Sequence, residues 1–178
     1  MKTKTLLIVT IAGMLILFAC KQEQKEIAEV VKEEAKEEKV DLLNDEFPEA
    51  KEEVLKTMEA IVQSVFDGDM NKLIAFHAYS PKFTEFNGGE PRVGSMENEK
   101  FEREVFGSVT EVVKFDAKDL KVAVYGEVAN VTFHSDFHLK FGKDLVVVND
   151  QITLLFLKTD TGWKIVHEHH SPLKKESA

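Results

Sequence analysis

Four consecutive residues near the C-terminus, His167, Glu168, His169 and His170, concentrate side chains able to move protons or hold metal ions. Farther back, His77 and Tyr79 lie two apart, and His134, Asp136 and His138 alternate along one stretch. A histidine held by a carboxylate or phenol and shifted by burial is the common apparatus of general acid and base catalysis near neutral pH. His169, with Asp136, Tyr79 or His77 brought to it by the fold, suits that work best. His167 and His169 can also present two imidazoles to one metal ion, the third ligand coming from a neighbouring strand or from His77. No residue at fixed spacing supplies that third ligand, so the expectation is histidines that pin strand edges, with no metal and no cofactor. Asn87-Gly88-Gly89 lacks a following helix opened by Lys and Ser or Thr, so it is a turn and not a phosphate cradle.

The elements that carry these residues follow from periodicity. Val54, Leu55, Met58, Ile61, Val62, Val65 and Phe66 recur at helical spacing after Pro48, which suits a first helical turn, and the pattern stops at Asp67-Gly68. Asp69 caps a short second helix over 70–76, residues 82–86 read as a short strand, and Ser95 is the N-cap of a third helix over 96–106. From residue 109 the period becomes two. Strands are predicted over 109–116, 119–125, 127–140, 144–158 and 162–171, with turns at 116–119, Gly126, 142–144 and 160–162. Helices followed by an antiparallel meander make an α+β fold, with one strongly curved sheet packed on the N-terminal helices.

Alternation places Ala129, Val131, Phe133, Ser135 and Phe137 toward the concave side, and Asn130, Thr132, His134, Asp136 and His138 toward solvent or a subunit interface. In the last strand Trp163, Ile165, His167, His169 and Ser171 share one face, opposite Lys164, Val166, Glu168 and His170. Alternation leaves either face open as pocket lining, and a bulge would swap them. Trp163 reads first as a core anchor and second as a surface on which a ligand stacks.

The span 54–172 resembles the SnoaL-like, or nuclear transport factor 2-like, superfamily, most closely the branch related to the association domain of calcium/calmodulin-dependent protein kinase II. The residues that carry the resemblance are Phe66-Asp67-Gly68-Asp69, Gly126-Glu127-Val128-Ala129, Thr153 and the run from Gly162-Trp163 through His167, His169, His170 and Ser171 to Pro172. The resemblance implies a cone-shaped curved sheet over helices, a pocket at the open end, and a homodimer formed through the sheet. It does not imply one activity, because this cone hosts isomerases, dehydratases, cyclases and assembly modules alike. In the kinase branch the pocket carries arginines. The matching positions here are Ser135, Leu154 and His170, and Arg92 and Arg103 are the chain's only arginines. The resemblance therefore does not extend to an anion cluster, and an apolar floor of Val131, Phe133, Leu154 and Phe156 suits a small, mostly apolar ligand.

Lys2 and Lys4 precede an apolar run over 6–18 that is too short to span a bilayer, and Leu17-Phe18-Ala19-Cys20 resembles the lipobox of bacterial lipoproteins. The resemblance implies cleavage after residue 19, acylation of Cys20 (the chain's single cysteine) and attachment to the cell envelope. Lys21 in place of Asp directs that expectation to the outer membrane, on its periplasmic or surface face. Residues 20–45 form an acylated cysteine and a Glu/Lys-rich tether, 46–173 the domain, and 174–178 a polar tail. The net charge of −9 argues against nucleic acid as a partner.

The expected function is a lipid-anchored domain that binds a small, mostly apolar molecule or a protein partner, without catalysis assigned. Alternatives are a pocket enzyme of isomerase, dehydratase or hydratase type using a histidine base, and a dimerisation or assembly module.

Overall fold

A computed structural model describes residues 40–92 and 94–173, without the side chains of Pro91 and Arg92. The chain divides into two units, Met1–Asp41 and Leu42–Ala178. In the first, only residues 40 and 41 are described. The leader, Cys20, nearly all of the tether and the polar tail lie outside the described residues. No helix of the described residues is long and apolar enough to cross a membrane.

Helix α1 spans Pro48–Asp67, with proline in its first turn as expected and no side-chain cap at Phe47. Val54, Met58, Ile61 and Val65 form its buried stripe, whereas Phe66 is about half exposed. Gly68, at φ 67°, ends the helix in the left-handed region that a glycine enters without strain, and its N–H donates to the Ser64 and Val65 carbonyls. Asp69 caps α2 (Met70–Ile74) by accepting from the Lys72 N–H at 2.9 Å. Helix α3 spans Ser95–Gly107; its N-cap is Gly94 and not Ser95, which is the first helical residue. The inward face of α3 buries two polar side chains, Asn98 and Glu102.

Seven strands form one curved sheet in the order β2-β1-β7-β6-β4-β3, with β5 paired to β4 off that path. The strands are β1 (Thr84–Asn87), β2 (Glu90–Arg92), β3 (Glu111–Tyr125), β4 (Val128–Phe141), β5 (Asp144–Val148), β6 (Asp150–Thr159) and β7 (Gly162–Pro172). The α+β architecture is as expected, with three differences. The turn expected at 116–119 is a bulge inside the single strand β3, where the register slips between Lys118 and Lys121 and Asp119 sits at φ 54°. The strand expected over 144–158 is two, because β4 pairs β5 through its second half and β6 through its first. The short strand β2 was not anticipated; it returns as a hairpin with β1 through Gly88 and Gly89.

Ser135 stitches the break between β5 and β6. Its hydroxyl donates to the Val148 carbonyl at 3.2 Å and accepts from the Asp150 N–H at 2.8 Å. The core lies between α1 and the concave face of the sheet, around Val54, Phe83, Ala129, Val131, Phe156 and Ile165.

Candidate active site

One bulge decides which residues of β7 face inward. Leu155 pairs with His167 and Phe156 with Ile165, so Val166 has no partner of its own and the alternation of β7 shifts by one. Before the bulge, Trp163 and Ile165 are buried; beyond it, Glu168 is buried at 3% exposure and His170 lines the pocket. His167 and His169 fall on the outer face, where each meets the exposed Phe86 edge-on at about 6 Å. His167 Nδ1 also lies 2.8 Å from the Thr84 hydroxyl.

Two further segments bring polar groups to Glu168. The chain leaving α2 runs beside β7: Ile165 N–H donates to the Phe76 carbonyl and Ala78 N–H to the Ile165 carbonyl, and His77 is fixed between them. His77 Nε2 lies 2.6 Å from Glu168 Oε1, and its Nδ1 lies 3.2 Å from the Leu73 carbonyl oxygen. A carbonyl only accepts, so Nδ1 carries a proton; the second nitrogen faces a carboxylate. His77 is therefore an imidazolium donating from both nitrogens. On the other side of the carboxylate, His170 Nε2 lies 3.2 Å from Glu168 Oε2. Its Nδ1 makes no hydrogen bond among the described residues.

Strand β1, parallel to β7, buries Glu85 at 1% exposure. Asn98 Nδ2 donates to Glu85 Oε2 at 2.9 Å, and Tyr79 donates its hydroxyl to Asn98 Oδ1 at 2.5 Å. The Tyr79 ring stacks on His77 at 5.1 Å, tying this second chain to the first. One turn beyond Asn98, Glu102 enters the same pocket, 8% exposed and without a hydrogen bond among the described residues.

The charges follow from this packing. Burial alone would raise Glu168, but hydrogen bonds from His170 and His77, and their charges, hold it well below the usual carboxylate range. Burial would lower His77 and His170, and in both the hydrogen bond and charge of Glu168 prevail and raise them. Glu102 has no such partner. Burial, aided by the charge of Glu168 and partly offset by His77 and His170, lifts it to about 7. Burial likewise keeps the Tyr79 phenol protonated.

The rest of the pocket is apolar. Phe106, Phe115, Phe133 and Phe137 wall it, with Phe115 and Phe137 stacked at 3.8 Å, and Met58 and Ile61 of α1 close the side opposite the sheet. It holds about 610 Å³ of non-atom space, its open mouth included. The cavity proper is about 90 Å³ as the side chains stand, which suits a small ligand. Glu85, Glu168 and His170 offer ligand atoms within 4.8 Å of one another, which is the donor set available to a cation among the described residues. In this structure Glu168 and His170 bond to each other and Glu85 accepts from Asn98 and Asn87, an arrangement that satisfies them mutually.

The structure brings together His77, His170 and, behind them, Tyr79. It corrects the other placements. His169, expected as the base, and His167 are turned to the outer face by the bulge, so neither imidazole lines the pocket. Asp136 lies on the outer face of β4, paired with Lys114 at 2.5 Å, Lys118 at 2.6 Å and His138 at 2.8 Å. Those hydrogen bonds, that of Lys114 first, hold its carboxyl far below the usual range. Ser135 is spent on the β5–β6 break. Trp163 is core, 3% exposed, and its indole N–H donates to Glu53 at 2.9 Å. Of the expected floor, Phe133 and Leu154 line the pocket, while Val131 and Phe156 are packed behind it. Glu102, Glu85 and Asn98 were missed. Glu102 stands in a run with Glu97, Glu99 and Glu104, and nothing local separates the inward glutamate from the solvated ones.

The family model of the SnoaL-like domain matches residues 54–174, about the span that forms α1 through β7. The chain belongs to the SnoaL-like family. Solved SnoaL-like and NTF2-like structures share its fold. A Streptomyces avermitilis protein of the NTF2-like family, provisionally described as a dehydratase, is 23% identical over 70% of this chain and 96% of its own, with a TM-score of 0.63. An NTF2-like superfamily protein from Salmonella enterica is 18% identical over 74% and 96%, also at 0.63. A protein from Exiguobacterium sibiricum, provisionally described as a calcium/calmodulin-dependent kinase II association domain, is 14% identical over 75% and 98%, at 0.56. At these identities the likeness is one of fold. No curated protein matches the chain.

Proposed function

We propose that this SnoaL-like domain binds a small, mostly apolar molecule in its aromatic pocket and transfers protons to and from it, with His170 and Glu102 as base and acid. The observation that carries this reading is the convergence of Glu102 and the His77–Glu168–His170 chain on one wall of an otherwise apolar cavity. His170 keeps one ring nitrogen without a hydrogen bond among the described residues. Glu102, lifted to about 7, is close to evenly divided between its acid and base forms at neutral pH, the condition under which a single group serves either direction of transfer. Apolar walls exclude competing water and strengthen each polar contact within. Isomerisation and dehydration need this pairing, one group removing a proton while another supplies one. The description of the Streptomyces avermitilis relative as a dehydratase agrees with that class.

The same proposal places the chain in the cell envelope, anchored through an acylated Cys20 to the outer membrane. Its support is the charge pattern and lipobox-like end of residues 1–20. Association into a homodimer belongs with it, supported by the exposed apolar residues Leu145, Val146 and Val147 on β5.

Exposing the full-length protein in deuterated buffer to the apolar extract of its own cells tests the chemistry. Mass spectrometry is expected to find one component that gains deuterium or loses water with the wild type, and at least 10-fold more slowly with Glu102→Gln and His170→Gln. Equal conversion by all three proteins, or conversion by none, would overturn the assignment.

A further inference from the structure

The two histidines on Glu168 are not equivalent. His77 is nearly sealed, with a side chain 3% exposed, and it binds the carboxylate at 2.6 Å; His170 is 20% exposed and stands at 3.2 Å. Both nitrogens of His77 are committed, to Leu73 and to Glu168, so it has no atom left for a ligand. A residue so placed cannot be catalytic, and a side chain needed only to fill space would not require a charge in the core.

Resting on the acid–base reading of the pocket, we propose that His77 is a positioning residue: its doubly donating ring keeps Glu168 ionised inside the apolar core, and Glu168 in turn holds His170 with Nε2–H donated and Nδ1 left for the ligand. The division of labour has a physical reason. An ionised carboxylate this deep requires a compensating positive charge. If His170 were its only partner, His170 would supply that charge itself, remain protonated and be unable to accept a proton. With His77 as the standing cation, His170 is free to cycle. The groups facing His170 are Glu168 from its own strand, Glu85 from β1 and Glu102 from α3, with His77 beyond Glu168.

Nitrogen-15 NMR of the histidine rings in the full-length protein reads the proposal without any substrate. In the wild type at neutral pH, His77 is expected to show both nitrogens protonated. Neutral His170 is expected to be the Nε2–H tautomer. In His77→Gln, which retains a donor to Glu168 but no charge, the His170 midpoint is expected to move upward by about one pH unit. An unmoved midpoint, a His77 nitrogen found bare at neutral pH, or a neutral His170 protonated on Nδ1 would each overturn the proposal. Should His77→Gln not fold, the wild-type tautomers alone decide it. These readouts are independent of turnover: a shifted midpoint with no conversion of any extract component would sink the catalytic reading and leave the positioning role standing.

Discussion

Replacing Glu102 with glutamine keeps the shape of the side chain and removes a charge that the core resists. The carboxyl ionises near 4.5 when unfolded and near about 7 in the folded domain, so the folded state binds its proton more tightly. Its contribution to stability is full below 4.5 and is lost as pH rises through about 7. A separation of that size is worth at most roughly 3 kcal/mol. Glu102→Gln is therefore expected to be more stable than the wild type at about pH 8, by ~1–3 kcal/mol, and to gain little at about pH 4.5. Urea unfolding at the two pH values checks this; equal stability at both would mean that Glu102 is solvated and not a pocket carboxyl. Glu168 runs the other way. Its lowered value stabilises the fold above 4.5, and that contribution fades as acid protonates it.

At the scale of elements, Val166 sets the chemistry of the pocket without touching it. Deleting it would give β7 plain alternation in unbroken register with β6, and would leave Glu168 and His170 facing inward and His167 and His169 outward. The deletion is expected to shift the melting temperature by no more than about 5 °C, because the buried His77–Glu168 pair is kept. A melting temperature lowered by about 10 °C or more would contradict the register described above. The same residue explains how far the sequence could be read. The long α1 stripe, the switch from helical to alternating period at about residue 109, and the inward face of β4 were legible, because each repeats a pattern over many residues. The site was not. One extra residue in β7 reverses the histidines, and no local signal marks a bulge between Ile165 and His167. Glu102 and Asn98 occupy helix positions that burial alone distinguishes, and burial is set by β1 and β7, some 17 and 66 residues away from Glu102 at Glu85 and Glu168. His77 was legible as a candidate but not its partner, since the pair is separated by 91 positions.

At the scale of the whole molecule, a curved sheet, a long helix and a polar wall line one apolar space; among the described residues that line it, the buried carboxyl of Glu102 and one nitrogen of the partly exposed His170 make no hydrogen bond. Buried polar groups without partners are uncommon in native proteins, and a catalytic role or a bound water or ion is the usual reason for one. The chain's affiliation with the SnoaL-like family agrees with a pocket at this place and leaves its contents to the residues themselves. The measurement that bears most directly on this account is native mass spectrometry of the full-length protein purified from its own host, before and after denaturation, alongside Ala117→Phe, which fills the pocket from β3. The expected result is a small, mostly apolar molecule carried by the wild type, released on denaturation, and absent from Ala117→Phe. A wild type that carries nothing, or a molecule retained undiminished when the pocket is filled, would contradict the claim that this cavity is the functional centre.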